Sequence, residues 1–258
     1  RGDLITVKNI ITEQNLKPDN KTLWRASTSG NIELVKYLIT EQNLKANIDI
    51  LDGAAESGDL GMLNFLVSEY SLDPRIKTLS RAALSGNLNL VKNLIEKHKL
   101  SPDLNTLKYA ATKGHLSIVK YLIEVHKLSP DLKTLKISAI KGHSKIINLI
   151  IKKVHLDVHT LERVLEAAAK GGNLGLVQKL IKDFEKLIQD NKLETYQIPY
   201  QKILNNAAWS GNFELVEYLI KEKKLAPNID TIQKATERGN FELVKELLEK
   251  YNKIPSID

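Results

Sequence analysis

The densest grouping of side chains able to hold a metal is His155-Leu-Asp-Val-His159, where two imidazoles and a carboxylate stand within five residues. Asp157 also fits the turn position that follows a leucine elsewhere in the chain, so a metal role is not expected for it. His98 and His126 are 28 residues apart, as are His115 and His143. Equivalent groups in stacked helical units lie roughly 10 Å apart, whereas metal–nitrogen bonds are ~2 Å, so these rungs cannot share an ion. Gly53, Gly58 and Gly61, and Gly171-Gly172 with Gly175, imitate phosphate-cradling loops. Neither set follows a strand or precedes Lys-Ser/Thr, as a phosphate loop requires. Glu162 and Glu166 stand one helical turn apart and read as a solvated face rather than an acid/base pair. There is no cysteine, which excludes disulfides, zinc–thiolate sites and thiol catalysis. No nucleophile, base and orienting group come together, so neither catalysis nor a metal or other cofactor is expected.

The elements carrying these residues are set by a repeat. Gly2, Gly30, Gly58, Gly86, Gly114 and Gly142 follow one another at 28-residue steps. Gly172, Gly211 and Gly239 continue at steps of 30, 39 and 28. Five residues after each glycine stands Val, Leu or Ile (Val7, Val35, Leu63, Val91, Val119, Ile147, Val177, Val216, Val244), and eight after stands Leu or Ile. Seven before stands Leu or Ile, and four before stands Ala (Ser138 once). Each unit therefore reads as two helices. Asp103 caps the first helix of its unit, and Gly114 ends it where a positive φ is cheap only for glycine. Asn31, Asn87, His115, Asn173, Asn212 and Asn240 sit at the start of the second helix. In that helix Leu116, Val119, Leu122 and Ile123 form one apolar stripe. No strand pattern survives. One hairpin cannot bury both helices, but stacked hairpins share a continuous core. The expectation is an all-α α-solenoid of stacked helix-turn-helix repeats, forming a single domain over residues 1–258.

Ala110-Ala-Thr-Lys-Gly-His-Leu-Ser-Ile-Val-Lys-Tyr-Leu-Ile123 and Ser29-Gly-Asn-Ile-Glu-Leu-Val-Lys-Tyr-Leu-Ile39 resemble ankyrin repeats, whose core runs Ala-Ala-x-x-Gly-His-x-x-x-Val-x-x-Leu-Leu. Eight units match, and a ninth is half present because Arg1-Gly-Asp-Leu enters at a second helix. Sequence preceding Arg1 is therefore expected. Ankyrin units usually run to ~33 residues, but these have 28. The Gly-x-Thr-Pro of the family is reduced to Thr-Leu (Thr106-Leu107, Thr134-Leu135), and its Gly-Ala-Asp-Val-Asn loop is replaced by a Lys-Leu-Ser-Pro-Asp type. The missing residues are those of the projecting β-hairpin, so the resemblance implies ankyrin-like repeats without it. Arg1-Gly2-Asp3 resembles an integrin-binding tripeptide, but Gly2-Asp3 is in register with Gly58-Asp59 and is discounted. The repeat style and the Lys/Ile/Asn-rich composition are similar to ankyrin proteins that intracellular bacteria and large viruses direct at host cells. That likeness implies a virulence effector fragment, in the cytoplasm of its own cell or of a host.

In ankyrin proteins the first helices line the concave face. Residues six and two before each glycine are i, i+4 neighbours on one helix face. The pairs are Trp24/Thr28, Asp52/Glu56, Ser80/Leu84, Lys108/Thr112, Lys136/Ile140, Glu166/Lys170, Asn205/Trp209 and Gln233/Glu237. They vary along the chain while the core positions barely change. Aromatic and aliphatic anchors are the usual interface hot spots, although Trp24 and Trp209 could equally pack on neighbouring turns. The candidate partner-binding residues are Trp24, Leu84, Lys108, Thr112, Lys136, Ile140, Lys170 and Trp209. The expected partner is protein, bound by a monomer. Net charge is +7. Residues 86–170 hold 15 Lys/Arg against 7 Asp/Glu and all six histidines. If Lys92, Lys108, Lys113, Lys120, Lys136, Lys141 and Lys145 share a face, that face would attract nucleic acid or a phosphorylated ligand. This is the alternative function, though only Tyr109 and Tyr121 are near for base stacking. No apolar run approaches the ~18 residues of a membrane span, and no signal-peptide pattern opens the chain. Two residues are added near 158–164 and eleven within 183–199. There Phe184–Asp190 extends a second helix and 191–199 forms a loop. The loop reads either as a tolerated surface insertion, or as a bend or partner contact through Tyr196 and Tyr200.

Overall fold

The computed structural model describes residues 4–153, 157–193 and 195–251. Among the described residues there are seventeen α-helices and no strand. They fall into two compact units that meet in sequence at Pro130 and Asp131. In the first, α1 (Leu4–Glu13) precedes four hairpins: α2 (Asn20–Ser29) with α3 (Ile32–Thr40), α4 (Ile48–Ser57) with α5 (Leu60–Tyr70), α6 (Ile76–Ser85) with α7 (Leu88–Glu96), and α8 (Leu104–Lys113) with α9 (Leu116–Glu124). In the second, α10 (Leu132–Ile140) pairs with α11 (Ser144–Lys153) and α12 (Val158–Lys170) with α13 (Leu174–Asp190). Then α14 (Tyr200–Ser210) pairs with α15 (Phe213–Glu222), and α16 (Ile229–Glu237) with α17 (Phe241–Tyr251).

Each unit is a solenoid of stacked helical hairpins. In the first, α2, α4, α6 and α8 pack in succession; in the second, α10, α12, α14 and α16 do so. The recurring apolar residues make the core. Leu51, Leu79, Leu107, Leu165 and Leu204, seven before their glycines, are 0% exposed. Ala54, Ala82, Ala110, Ala168 and Ala207 are equally sealed and small enough to let first helices approach closely. Each buried leucine contributes about 1.5–3 kcal/mol by leaving water.

The hairpin corner shows why glycine recurs. Gly86 has φ +84°, and a Cβ there would lie 2.6 Å from the His115 ring of the next hairpin. Backbone conformation and packing both demand hydrogen at that position. The second helix then starts on its asparagine: Asn87 accepts the Leu90 N–H at 3.1 Å, while its Nδ2 donates to the Gly58 carbonyl at 2.9 Å. Asn212 repeats this, accepting from Leu215 N and donating to the Gly172 carbonyl. One side chain thus caps a helix and latches it to the preceding hairpin. His115 makes only the latch, from Nε2 to the Leu84 carbonyl at 2.9 Å, and gives no side-chain cap.

The second helices close differently. Asn43, Lys99 and Lys127 have positive φ, from 56° to 57°. The following Leu44, Leu100 and Leu128 donate backward to the carbonyls of Leu38, Leu94 and Leu122. These closures turn through a left-handed residue as a Schellman motif does, but reach back six residues rather than five and lack the usual glycine.

The breaks in register are absorbed by helices. The two added residues lengthen α12 to 13 residues, and α13 runs 17 residues before the loop begins. Arg1-Gly2-Asp3 and His155 lie outside the described residues.

Candidate functional site

The first-helix N-termini form a second ladder that holds this face in place. Asp103 accepts the Thr106 N–H at 2.8 Å, and the Thr106 hydroxyl returns to Asp103 at 2.8 Å. Asn228 and Thr231 form the same pair. These threonines are buried and also reach the residue six before the glycine in the preceding hairpin. Thr78 donates to Asp52 at 2.6 Å, Thr106 lies 3.3 Å from Ser80 Oγ, and Thr231 donates to Asn205 at 2.6 Å. Half of the variable pair is therefore used internally at those hairpins. Asp52 is 3% exposed and also takes ion pairs from Arg75 at 3.0 Å and Lys77 at 3.1 Å.

The row two before the glycine stays accessible. Thr28, Glu56, Leu84, Thr112, Ile140, Lys170, Trp209 and Glu237 are all at least partly exposed. In the first unit Trp24 lies close over Gly53, where a Cβ would meet its Nε1 at 3.0 Å. Trp24 also lines a concavity of about 510 Å³ with Asp49, Asp52, Glu56, Lys77 and Arg81. The charges there neutralise one another, as in the 2.9 Å Arg81–Glu56 pair. Leu84 is partly exposed on α6. On α8 the Thr112 hydroxyl donates to the Lys108 carbonyl at 2.7 Å, and Lys108 Nζ donates to Asn105 at 3.3 Å.

In the second unit Lys136 and Ile140 line a hollow of about 350 Å³ with Leu132, Lys133 and Ile137. Further along, Lys170 Nζ lies 4.3 Å from the centroid of the Trp209 ring, and Arg238 Cζ lies 4.7 Å from it. The Trp209 carbonyl accepts from Asn240 Nδ2 at 3.3 Å. Arg238 is a member the sequence reading missed. It directly precedes Gly239, where Lys113 and Lys141 stand in other units. Its nearness to Trp209 follows only from stacking α16 on α14.

The basic residues do not form one row within either unit. Lys92 and Lys120 sit on second helices and Lys108 and Lys113 on α8; Lys145 sits on α11 and Lys136 on α10. Lys92 lies over the Tyr121 ring at 5.3 Å. Among the described residues no three His, Asp or Glu side chains gather as a metal would need. His98 and His126 each bury an Nε2 that has no hydrogen-bond partner. Glu162 and Glu166 are engaged rather than solvated: Glu162 accepts from the Tyr196 hydroxyl, and Glu166 pairs with Lys202 at 2.7 Å. The insertion is held down as well. Tyr196 packs edge-on to His159, with ring centroids 5.8 Å apart. Desolvation and the Glu162 carboxylate push its phenol up to about 12. The Tyr200 hydroxyl donates to Glu185 at 2.8 Å, and Lys223 pairs with the same carboxylate at 2.9 Å. Both tyrosine hydroxyls are committed inside the chain.

No described helix is long and apolar enough to cross a membrane. No curated protein matches the chain. Residues 79–161 match a family model for ankyrin repeats, in three copies.

Proposed function

We propose, from the ankyrin-repeat match at residues 79–161, a motif that generally serves protein–protein interaction, that the chain is a non-catalytic scaffold that binds partner protein on its first-helix face. One observation carries the reading: the row two before the glycine is accessible in every hairpin and differs in chemistry along the chain, from Leu84 to Trp209 to Glu237. The residues seven before the glycine, one position from the variable pair, are almost uniform and are buried in every hairpin but the last, where Ile232 is half-buried. A uniform frame presenting varied side chains is what selective recognition requires. Trp24, Leu84, Lys108, Thr112, Lys136, Ile140, Lys170 and Trp209 are the proposed contact residues. Trp209 acts as an anchor already oriented by its neighbours, and Ile140 and Leu84 supply apolar contact. The proposal includes a monomer acting as a single repeat domain, because the 28-residue register continues from Gly86 through Gly114 to Gly142. A host-directed effector role and a cytoplasmic site of action belong to it too, on repeat style and composition alone.

The test is a Leu84→Ala/Ile140→Ala/Trp209→Ala chain whose circular dichroism matches the parent. Capture of partner proteins should drop sharply, and undiminished capture of every partner would overturn the proposal. Electrostatic binding of nucleic acid gains no support, since the lysines of 86–170 divide between the two helices of each hairpin.

A further inference from the structure

In the second unit two of the first-helix lysines next to the Lys170–Trp209–Arg238 cluster are neutralised locally. Lys202 pairs with Glu166 at 2.7 Å, and Lys234 with Glu237 at 2.7 Å. Lys170 and Arg238 form no ion pair among the described residues, yet both are exposed. What holds them is the Trp209 ring, at 4.3 Å and 4.7 Å. A cation–π contact orders a cation without cancelling its charge. The carboxylates closest in the row, Glu166 and Glu237, are already engaged. The cluster is therefore an ordered pair of cations with no ion-pair partner among the described residues.

This arrangement discriminates among partners. A partner's lysine or arginine would meet a ring already facing two cations and would be repelled. A nucleobase would have to displace one of them to stack. A carboxylate meets two ordered donors, and Arg238 can present a planar fork to it. On the same row lies Ile140, whose carbonyl oxygen would stand 2.2 Å from a Cβ at Gly171, the residue after Lys170. Ile140 and Ile137 line the neighbouring hollow beside Lys133 and Lys136, which form no ion pair among the described residues. Charge and surface match an extended segment that alternates carboxylates with an aliphatic side chain.

We infer that the Lys170–Trp209–Arg238 cluster is a receptor for an acidic segment of a partner protein, with Lys170 and Arg238 binding its carboxylates and Trp209 positioning both. The inference rests on the scaffold reading above and names the partner chemistry of that face.

The experiment selects peptides from a displayed library of random 12-residue sequences on the immobilised full chain. It is repeated on Lys170→Gln/Arg238→Gln, and on Lys182→Gln/Lys245→Gln, which removes the same charge from second helices. All three proteins are checked for matching circular dichroism. The parent and the second-helix variant should both enrich Asp and Glu at least threefold over the starting library. The Lys170→Gln/Arg238→Gln variant should lose that enrichment and bind the selected peptides at least tenfold more weakly. Peptides recovered without acidic enrichment, or with equal enrichment on all three proteins, would overturn the acidic-segment inference and leave the scaffold reading standing. Recovery of no peptide above background would count against both. Tighter binding of a 12-nucleotide single strand than of the best peptide would overturn the inference in favour of nucleic acid.

Discussion

At the scale of single residues, energy is concentrated where side chains depart from ordinary preference. Lys99 holds φ 57° at the end of a second helix, a conformation that costs a residue with a Cβ roughly 1–2 kcal/mol. Part of that is recovered by glycine, which loses more chain entropy on folding. Lys99→Gly should therefore raise stability by about 0.5–1 kcal/mol, read as a higher urea midpoint at unchanged slope. His98 works in the opposite sense. Burial holds its imidazole below the ordinary 6.5, aided by Lys97 and opposed by Asp73. As pH falls the unfolded chain takes up that proton first. The contribution is complete above about pH 6.5 and is lost as pH drops from there toward the depressed folded-state value. Between pH 7.5 and 5.5 the parent should lose more stability than His98→Leu, and equal losses would assign the acid sensitivity elsewhere. Thr106 joins its own cap to Ser80 of the neighbouring hairpin while fully buried. Thr106→Val should cost about 1–3 kcal/mol, the penalty for leaving buried partners unsatisfied.

At the scale of helices and their junctions, the sharpest steric prediction concerns Gly171. Its φ of −77° is available to any residue, so conformational freedom is not the reason for glycine. A Cβ there would stand 2.2 Å from the Ile140 carbonyl oxygen, a backbone atom rather than the movable end of a side chain. Gly171→Ala should force α12 off α10 at a cost of about 1–3 kcal/mol. The asparagine latch makes a parallel case: Asn87→Ala removes a cap and an inter-hairpin bond together, and about 1–2 kcal/mol should go with it. The helices themselves were legible from the glycine step, because a corner needing positive φ leaves a residue-type signature every 28 positions. The prolonged α13 was legible as a break in the same step. The threonine ladder was not. Thr78, Thr106 and Thr231 read locally as capping partners, and their second bond lies 26 residues away. That bond exists only once one first helix is laid against the next. Arg238 was missed on the same ground. Spacing identified Lys170 and Trp209 as candidates, but only stacking brings a third side chain to their ring.

For the whole chain, stability in stacked repeats is a sum of neighbour contacts, so elements with one neighbour should open first. Helix α1 buries no residue, and α17 buries only Leu243 and Leu247. Amide exchange should be slowest around Leu66 and Leu94 in the first unit and around Leu180 and Leu219 in the second. It should be fast throughout α1, and comparable protection at Ile10 and Leu94 would contradict neighbour-dominated stability. The basic balance of residues 86–170 suggested a charged face, but charge along a sequence says nothing about which helix of a hairpin bears it.

The chain has only two tryptophans, Trp24 in the first unit and Trp209 in the second, and their surroundings differ. One indole lies against the Gly53 backbone, the other beside two cations. Each half thus carries its own built-in emitter. With Trp24→Phe or Trp209→Phe, fluorescence of the remaining indole follows one half through a thermal melt without any attached dye. Coincident curves would mean that both halves melt as a single cooperative body, and separated curves that each keeps its own transition. The emission of Trp209 should also shift whenever an anion settles on the ammonium and guanidinium groups around it, so the proposed receptor would report its own occupancy.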